Sequence, residues 1–412
     1  MSRTGARFAP FRRLWFWVKR ASLALAVVLG LAAVAALVAG WRGFGHRATG
    51  ARRERIERSP EFHDGKFRNP QPMVNDGWLM LRGAFHADAN VRPAAPVPTA
   101  AGAAAKLRVP PASGLRVTWL GHSTALLEIG ATRVLTDPQW SDRATPIAGM
   151  GPLRTHPPPI PLAELPPIDV VVVSHDHYDH LDMASVQALS ARGVTFVVPL
   201  GVGAHLAYWG VPEARVTELD WWERTKVGEL EIVCTPSRHA SGRMIVDDGA
   251  KLWAGFAFIG AGHRVYYSGD TGLFPALREI GERLGPFELT LIEVGQYGPA
   301  WPDWHLGPEQ AVLAHQWVRG GVMLPVHWGT FSLAYHGWTE PPERVLAAAR
   351  AAGVTVALPK PGESFEPASP LPVVRWWPSL PWRTASEAPI VATQVDRGSG
   401  LLPGDELRRT NH

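Results

Sequence analysis

The chain has 412 residues, 46% hydrophobic and 19% charged, with a formal net charge of +4. That composition excludes a chain disordered throughout and leaves room for one large or two ordinary domains. The charge is uneven: residues 1–58 hold twelve Lys or Arg against Glu54 and Glu57, so the rest of the chain is at −6. A nucleic-acid-binding domain needs a basic face, and no nucleic-acid partner is expected. The lone cysteine, Cys234, excludes an intrachain disulfide and a Cys-based zinc site. Its apolar setting predicts a buried, inert thiol.

Residues 1–58 form a basic segment around an uncharged run at 21–40, flanked by Lys19, Arg20 and Arg42. Twenty residues at the helical rise cover about 30 Å, enough for a bilayer. We read the run as a single-pass transmembrane helix. A cleaved signal peptide is the alternative, since small residues recur between Ala35 and Gly40. Phe11, Leu14, Trp15, Phe16 and Trp17 among the arginines suggest a membrane-surface segment. Six Lys or Arg precede the run and six follow it up to Arg58. The expected orientation puts the N-terminus inside and the following domain on the extracytoplasmic side.

Residues 59–114 read as an N-terminal extension and linker. The Ala/Pro run at 91–106 has no period that would build a core. From 115 to 365 the texture is that of a folded domain. Strands are predicted at 115–128, 132–136, 170–174, 195–199, 216–219, 230–235, 251–259, 264–268, 289–294, 322–326 and 354–358. Helices are predicted at 183–191, 274–284, 308–319 and 342–352. Many strands with interspersed helices suit two packed sheets covered by helices, an α/β arrangement. Residues 366–412 are a Pro/Trp-rich tail, with Trp376, Trp377 and Trp382 as docking residues.

The chemistry concentrates in Ser174-His175-Asp176-His177-Tyr178-Asp179-His180-Leu181-Asp182, directly after an apolar strand. Neutral imidazole is the commonest transition-metal ligand, and three histidines with three aspartates in nine residues point to metal. On an extended segment residues i and i+2 face the same way, so His175 and His177 can grip one metal. Asp179 and His180 then face a second. More candidates stand where later strands stop: His239, Asp270 and His327. Singly each has a bland explanation, a surface histidine or a turn-capping aspartate. Together with the histidine-rich loop they form a ligand series.

That series, His175, His177, Asp179, His180, His239, Asp270 and His327, resembles the ligands of the metallo-β-lactamase fold. The stretches VTWLGHST (117–124), LTDP (135–138), LPPID (165–169), GDTG (269–272), HWGTF (327–331) and DGKFRNP (64–70) resemble the N-acylphosphatidylethanolamine-hydrolysing phospholipase D branch. The resemblance covers about residues 59–365. It implies an αββα sandwich, two mixed sheets flanked by helices, with two zinc ions at one edge. It assigns His175, His177 and His239 to one ion, Asp179, His180 and His327 to the other, and Asp270 to both. Other divalent metals suit the same donors. Asp179, Asp270 and His305 are the expected catalytic residues, with His305 as leaving-group acid or substrate-positioning residue. Trp304 and Trp328 are expected substrate contacts, with core or rim packing as the alternative. His122, Asp137 and Asp182 are expected behind the ligands, since a metal-bound histidine usually donates its other N–H to a carboxylate or carbonyl. For Asp182 a helix N-cap is the alternative.

The resemblance implies a metal-activated hydroxide that cleaves N-acylphosphatidylethanolamine to N-acylethanolamine and phosphatidic acid. A lactonase or other esterase is the second reading. A membrane-tethered, non-catalytic binding protein is the reading from another class. A homodimer is also implied.

Overall fold

The computed structural model describes residues 9–147 and 149–393. Arg3, Arg7, the side chain of Phe11 and the tail beyond 393 lie outside the described residues.

Two seven-stranded sheets form the body. In the first, the antiparallel strands Leu115–Gly121, Thr124–Ile129 and Thr132–Thr136 continue in parallel through Val170–Val172, Thr195–Pro199 and Val216–Leu219. In the second, Arg224–Val227, Leu230–Thr235, Gly255–Gly260 and His263–Tyr267 are antiparallel. Phe287–Glu293, Gly320–Val326 and Thr355–Val356 then extend it in parallel. Ser364–Phe365 closes the outer edge of the first sheet against Leu115–Gly121.

Alternation explains the layers. Val170 and Val172 point into a core shared with Val265, Leu289 and Leu291 of the second sheet. Val171 and Val173 point the other way, into a core with Val186 and Leu189 of helix Met183–Ala191. A strand covered on both faces is apolar throughout, and its period of two splits the side chains between layers. The αββα sandwich expected from the sequence is the observed fold.

The run at 115–128 is two strands rather than one. Gly121 and His122 take positive φ, +106° and +51°, and turn the chain between them. A Cβ on Gly121 would lie 2.8 Å from Thr330 Oγ1 and 2.9 Å from His156 Cε1, so the turn requires glycine. The strand Arg224–Val227 and the helices Gly50–Glu57, Gly77–Phe85 and Gly203–Tyr208 were absent from the sequence reading.

The proposed linker is more deeply built in than its composition suggested. Val97, Ala103 and Leu107 are buried. Ahead of them, Ile56 is buried, and Arg52 pairs with Glu213 and Glu218. Part of the N-terminal basic excess is thus matched by acidic groups on the body. The near tail also docks: Trp376 stacks on Trp328 at 5.2 Å, and Trp328 stacks on Trp119 at 5.5 Å.

The N-terminal helix runs from Ala9 to Gly40, well ahead of the apolar run, because no breaker interrupts the basic stretch. Lys19 and Arg20 lie over the rings of Trp15 and Phe16 at 3.8 and 4.4 Å. By length and composition, Leu14–Gly40 can cross a bilayer, and its side chains are almost all exposed.

Candidate metal centre

In the parallel halves of the sheets, carboxyl ends lie at one edge, where α/β folds place their sites. Asp137 follows Thr132–Thr136, and the histidine loop follows Val170–Val172. Asp270 follows His263–Tyr267, Glu293 ends Phe287–Glu293, and His327 follows Gly320–Val326. His239 follows the antiparallel strand Leu230–Thr235. Residues up to 205 positions apart in sequence therefore meet, His122 and His327 at the extreme.

They form two adjoining groups. In one, His175 Nε2 lies 2.9 Å from His177 Nδ1, and His239 Nε2 lies 3.2 Å from the same atom. In the other, Asp179 Oδ2 is 2.8 Å from His122 Nε2, 3.3 Å from His180 Nε2 and 3.2 Å from His327 Nε2. Asp270 stands between them. Its Oδ2 is 3.1 Å from His180, 3.3 Å from His327, 3.8 Å from His239 and 3.9 Å from His175.

The outward nitrogens of most of these rings are engaged. His180 Nδ1 donates to Asp137 Oδ2 at 2.6 Å, and His239 Nδ1 donates to the carbonyl of Trp304 at 2.9 Å. His175 Nδ1 meets the Ser174 hydroxyl at 2.9 Å. His327 Nδ1 makes no hydrogen bond but has Glu293 Oε2 beside it at 3.3 Å, an ionic contact. With the outer nitrogen protonated, the inner nitrogen presents a lone pair to the site. Several lone pairs aimed at one another need a cation between them. Asp270 Oδ1 is also buried without a hydrogen-bond partner. Both observations fit divalent metal, and the imidazole and carboxylate donors are of the right chemistry.

Electrostatics separates the two groups. Burial holds His175 and His239 well below the usual imidazole range, outweighing the pull of Asp270. Burial also opposes charge on His327, but Asp270, Asp179 and Glu293 overcome it and push that ring up to about 10. The same carboxylates draw positive charge into this half.

Asp137 organises the second group. Fully buried, it accepts from Ser174 N at 2.7 Å, from the Ser174 and Tyr267 hydroxyls, and from His180. His122 is buried behind Asp179, its charged form disfavoured by burial and by neighbouring His327, with its titration lowered to about 3. The His122 turn is stitched to the opposite ligand, because His327 N donates to the His122 carbonyl at 3.0 Å.

Two expected residues sit elsewhere in role. Asp182 caps helix Met183–Ala191, accepting from Ser185 N, and its other bonds come from the N–H and hydroxyl of Ser141 and the hydroxyl of Ser185. It makes no bond to a site imidazole, because its position at the helix start directs it to the free N–H groups there. Trp328 is 1% exposed, in a cluster with Trp119 and Trp376, which also lie 6.3 Å from each other, with its Nε1 donating to the Pro325 carbonyl. It is core, with no surface for a substrate, because the chain reverses at Gly329. Trp304 is half-buried with its ring edge-on to His239 at 5.6 Å.

His305 lies beside the centre, its Nδ1 2.8 Å from Glu293 Oε2 and 3.7 Å from Asp270 Oδ2. Its loop is pinned by Asp303, buried against the equally buried Arg238 at 3.1 Å. Glu293 was missed in the sequence. It accepts from Thr271 N and Leu306 N and supports both His305 and His327. The available signal was an acid closing the otherwise apolar run Leu289-Thr290-Leu291-Ile292. Asp176, inside the loop, was likewise given no role. It is buried and bonded to His205 Nε2 and Gly242 N.

Residues 132–328 match the family model of the beta-lactamase superfamily domain. An uncharacterized protein of Mycobacterium tuberculosis is 49% identical over 331 residues, covering 78% of this chain and 88% of that protein. The N-acyl-phosphatidylethanolamine-hydrolyzing phospholipase D 1 of Caenorhabditis elegans is 40% identical over 233 residues, 54% of this chain and 65% of the worm protein. A UPF0173 metal-dependent hydrolase of Pyrobaculum islandicum is 30% identical over 252 residues, 61% of this chain and 99% of its own length. The chain belongs to the metallo-β-lactamase superfamily of metal-dependent hydrolases, and its similarity within that family runs to the N-acylphosphatidylethanolamine-hydrolysing phospholipase D branch.

Proposed function

We propose that the chain is a membrane-anchored, binuclear metal hydrolase that cleaves the phosphodiester of N-acylphosphatidylethanolamine, releasing N-acylethanolamine and phosphatidic acid. The observation that carries this reading is the placement of Asp270 between the two groups of imidazoles, alongside 40% identity to the worm phospholipase. His175, His177 and His239 would hold one ion, Asp179, His180 and His327 the other, and Asp270 both. Zinc suits this donor set. Bound divalent ions supply Lewis acidity at the phosphoryl oxygens and make water acidic enough to attack near neutral pH.

The chain's own residues do the rest. Asp137, Glu293 and the Trp304 carbonyl orient the ligand rings. Glu293 accepts the Nδ1 proton of His305, because a carboxylate oxygen can only accept. When the ring is doubly protonated, with Glu293 balancing its charge, Nε2–H of His305 can give its proton to the departing ethanolamide oxygen or hold a phosphoryl oxygen. The apolar helix Leu14–Gly40 keeps this machinery at a bilayer, where the substrate lies. In this reading residues 1–58 are the anchor segment, 59–114 an extension packed on the catalytic domain 115–365, and 366–412 a tail.

Metal-loaded full-length protein, given N-acylphosphatidylethanolamine in mixed micelles, should release both products, read by mass spectrometry. Turnover of a lactone panel without lipid turnover would instead favour the second bond class.

A further inference from the structure

Just beyond the apolar helix, residues 42–46 are gripped by the body of the protein. The Arg42 carbonyl accepts from Trp209 Nε1 at 2.7 Å. The Gly43 carbonyl accepts from Nε and a terminal nitrogen of Arg243 at 2.9 and 2.8 Å. His46 N donates to His205 Nδ1 at 2.9 Å. Gly45 takes φ +77° so close to His205 that a Cβ would fall 1.8 Å from Nδ1.

The groups that hold this segment also hold the histidine loop. The other terminal nitrogen of Arg243 donates to the carbonyls of Asp176 at 2.7 Å and Leu181 at 3.0 Å, one near each end of the loop. Its guanidinium lies 4.0 Å over the Tyr178 ring, and the Tyr178 hydroxyl returns a bond to the Arg243 carbonyl at 2.6 Å. His205 spends its second nitrogen on the Asp176 carboxylate at 3.1 Å, between His175 and His177. Arg243 is 5% exposed and His205 fully buried. A planar guanidinium with five N–H groups can satisfy three carbonyls at once, which a lysine ammonium cannot do in this geometry.

We propose that Arg243 is a positioning residue that locks the segment leaving the membrane helix to the metal-ligand loop, so that the docked segment 42–46 is part of what sets metal affinity. Arg243 and His205 contact no candidate ligand side chain. They act through the loop backbone and Asp176. One arginine side chain spans from the helix exit to the loop, which keeps the centre beside the bilayer surface. The inference rests on the metal-centre reading above.

The test is zinc affinity of the full-length protein in detergent, by competition with a chromophoric chelator, alongside thermal unfolding of the metal-free form. Arg243→Met should weaken zinc binding by about 10–100-fold, the range for groups that orient metal ligands. Arg243→Lys should recover only part of that loss. Gly45→Ala changes no side chain of the body and should weaken zinc in the same direction. It decides the matter if Arg243→Met does not fold. A structural role alone would lower the unfolding temperature and leave the affinity of folded protein unchanged. Folded Arg243→Lys and Gly45→Ala proteins with wild-type affinity would overturn the inference. Absence of zinc binding in the wild type would overturn the metal-centre reading and this inference with it.

Discussion

The two halves of the centre share an edge of the sandwich and Asp270, but differ in the charge around them. The half made of His175, His177 and His239 has only imidazoles at its heart, with a serine hydroxyl behind His175 and a backbone carbonyl behind His239. The half made of Asp179, His180 and His327 has a carboxylate inside it, with Asp137 and Glu293 behind. A cation in the first half would be neutralised mainly by Asp270. One in the second would find negative charge on several sides, in a buried setting where charges are weakly screened. The lesson is that equal numbers of protein donors do not make equal sites. The outer partners set which half holds its ion more firmly.

Asp270→Asn removes the charge both halves share. It should cost more activity than the roughly 10–100-fold typical of an outer partner, with loss of bound metal measured on the same sample. Full metal content and near-normal turnover would break the comparison at its centre. Asp137→Asn should act on the second half, by about 10–100-fold in metal affinity, because His180 loses its carboxylate acceptor. Weakening confined to the first half would reverse the assignment. Timed chelation of the wild type should release metal in two phases, the faster from the three-histidine half, and His177→Ala should erase the fast phase alone. Ser174→Ala should weaken the metal least, by roughly fivefold, because only the neutral bond behind His175, worth about 1 kcal/mol, bears on a ligand ring, and Asp137 loses one hydroxyl donor but keeps Ser174 N, Tyr267 and His180.

The fold and the ligand series were legible because they depend on local pattern. Runs such as 195–199 and 230–235 carry their strand character in β-branched and aromatic residues, and the observed strands have those bounds. The helix at 183–191 was equally plain, set off by Asp182 and ended before Gly193. Asp182 itself shows the limit: an aspartate before a helix and one behind a metal ligand look alike in sequence. Trp328 shows the same limit, since a tryptophan beside a ligand can face the substrate or, as here, the core.

Sequence alone was enough to determine the sandwich, the histidine-rich loop and the long apolar helix, because each is written in residue periodicity or in dense local chemistry. Only the tertiary structure decided what stands behind the ligands: Glu293 under His305 and His327, Asp176 clasped by His205, and Arg243 joining the helix exit to the loop. Those partners lie tens to hundreds of residues apart. Hydrogen bonds of about 3 Å between them exist only once the sheets have brought the strand ends together, and no spacing along the chain records that approach.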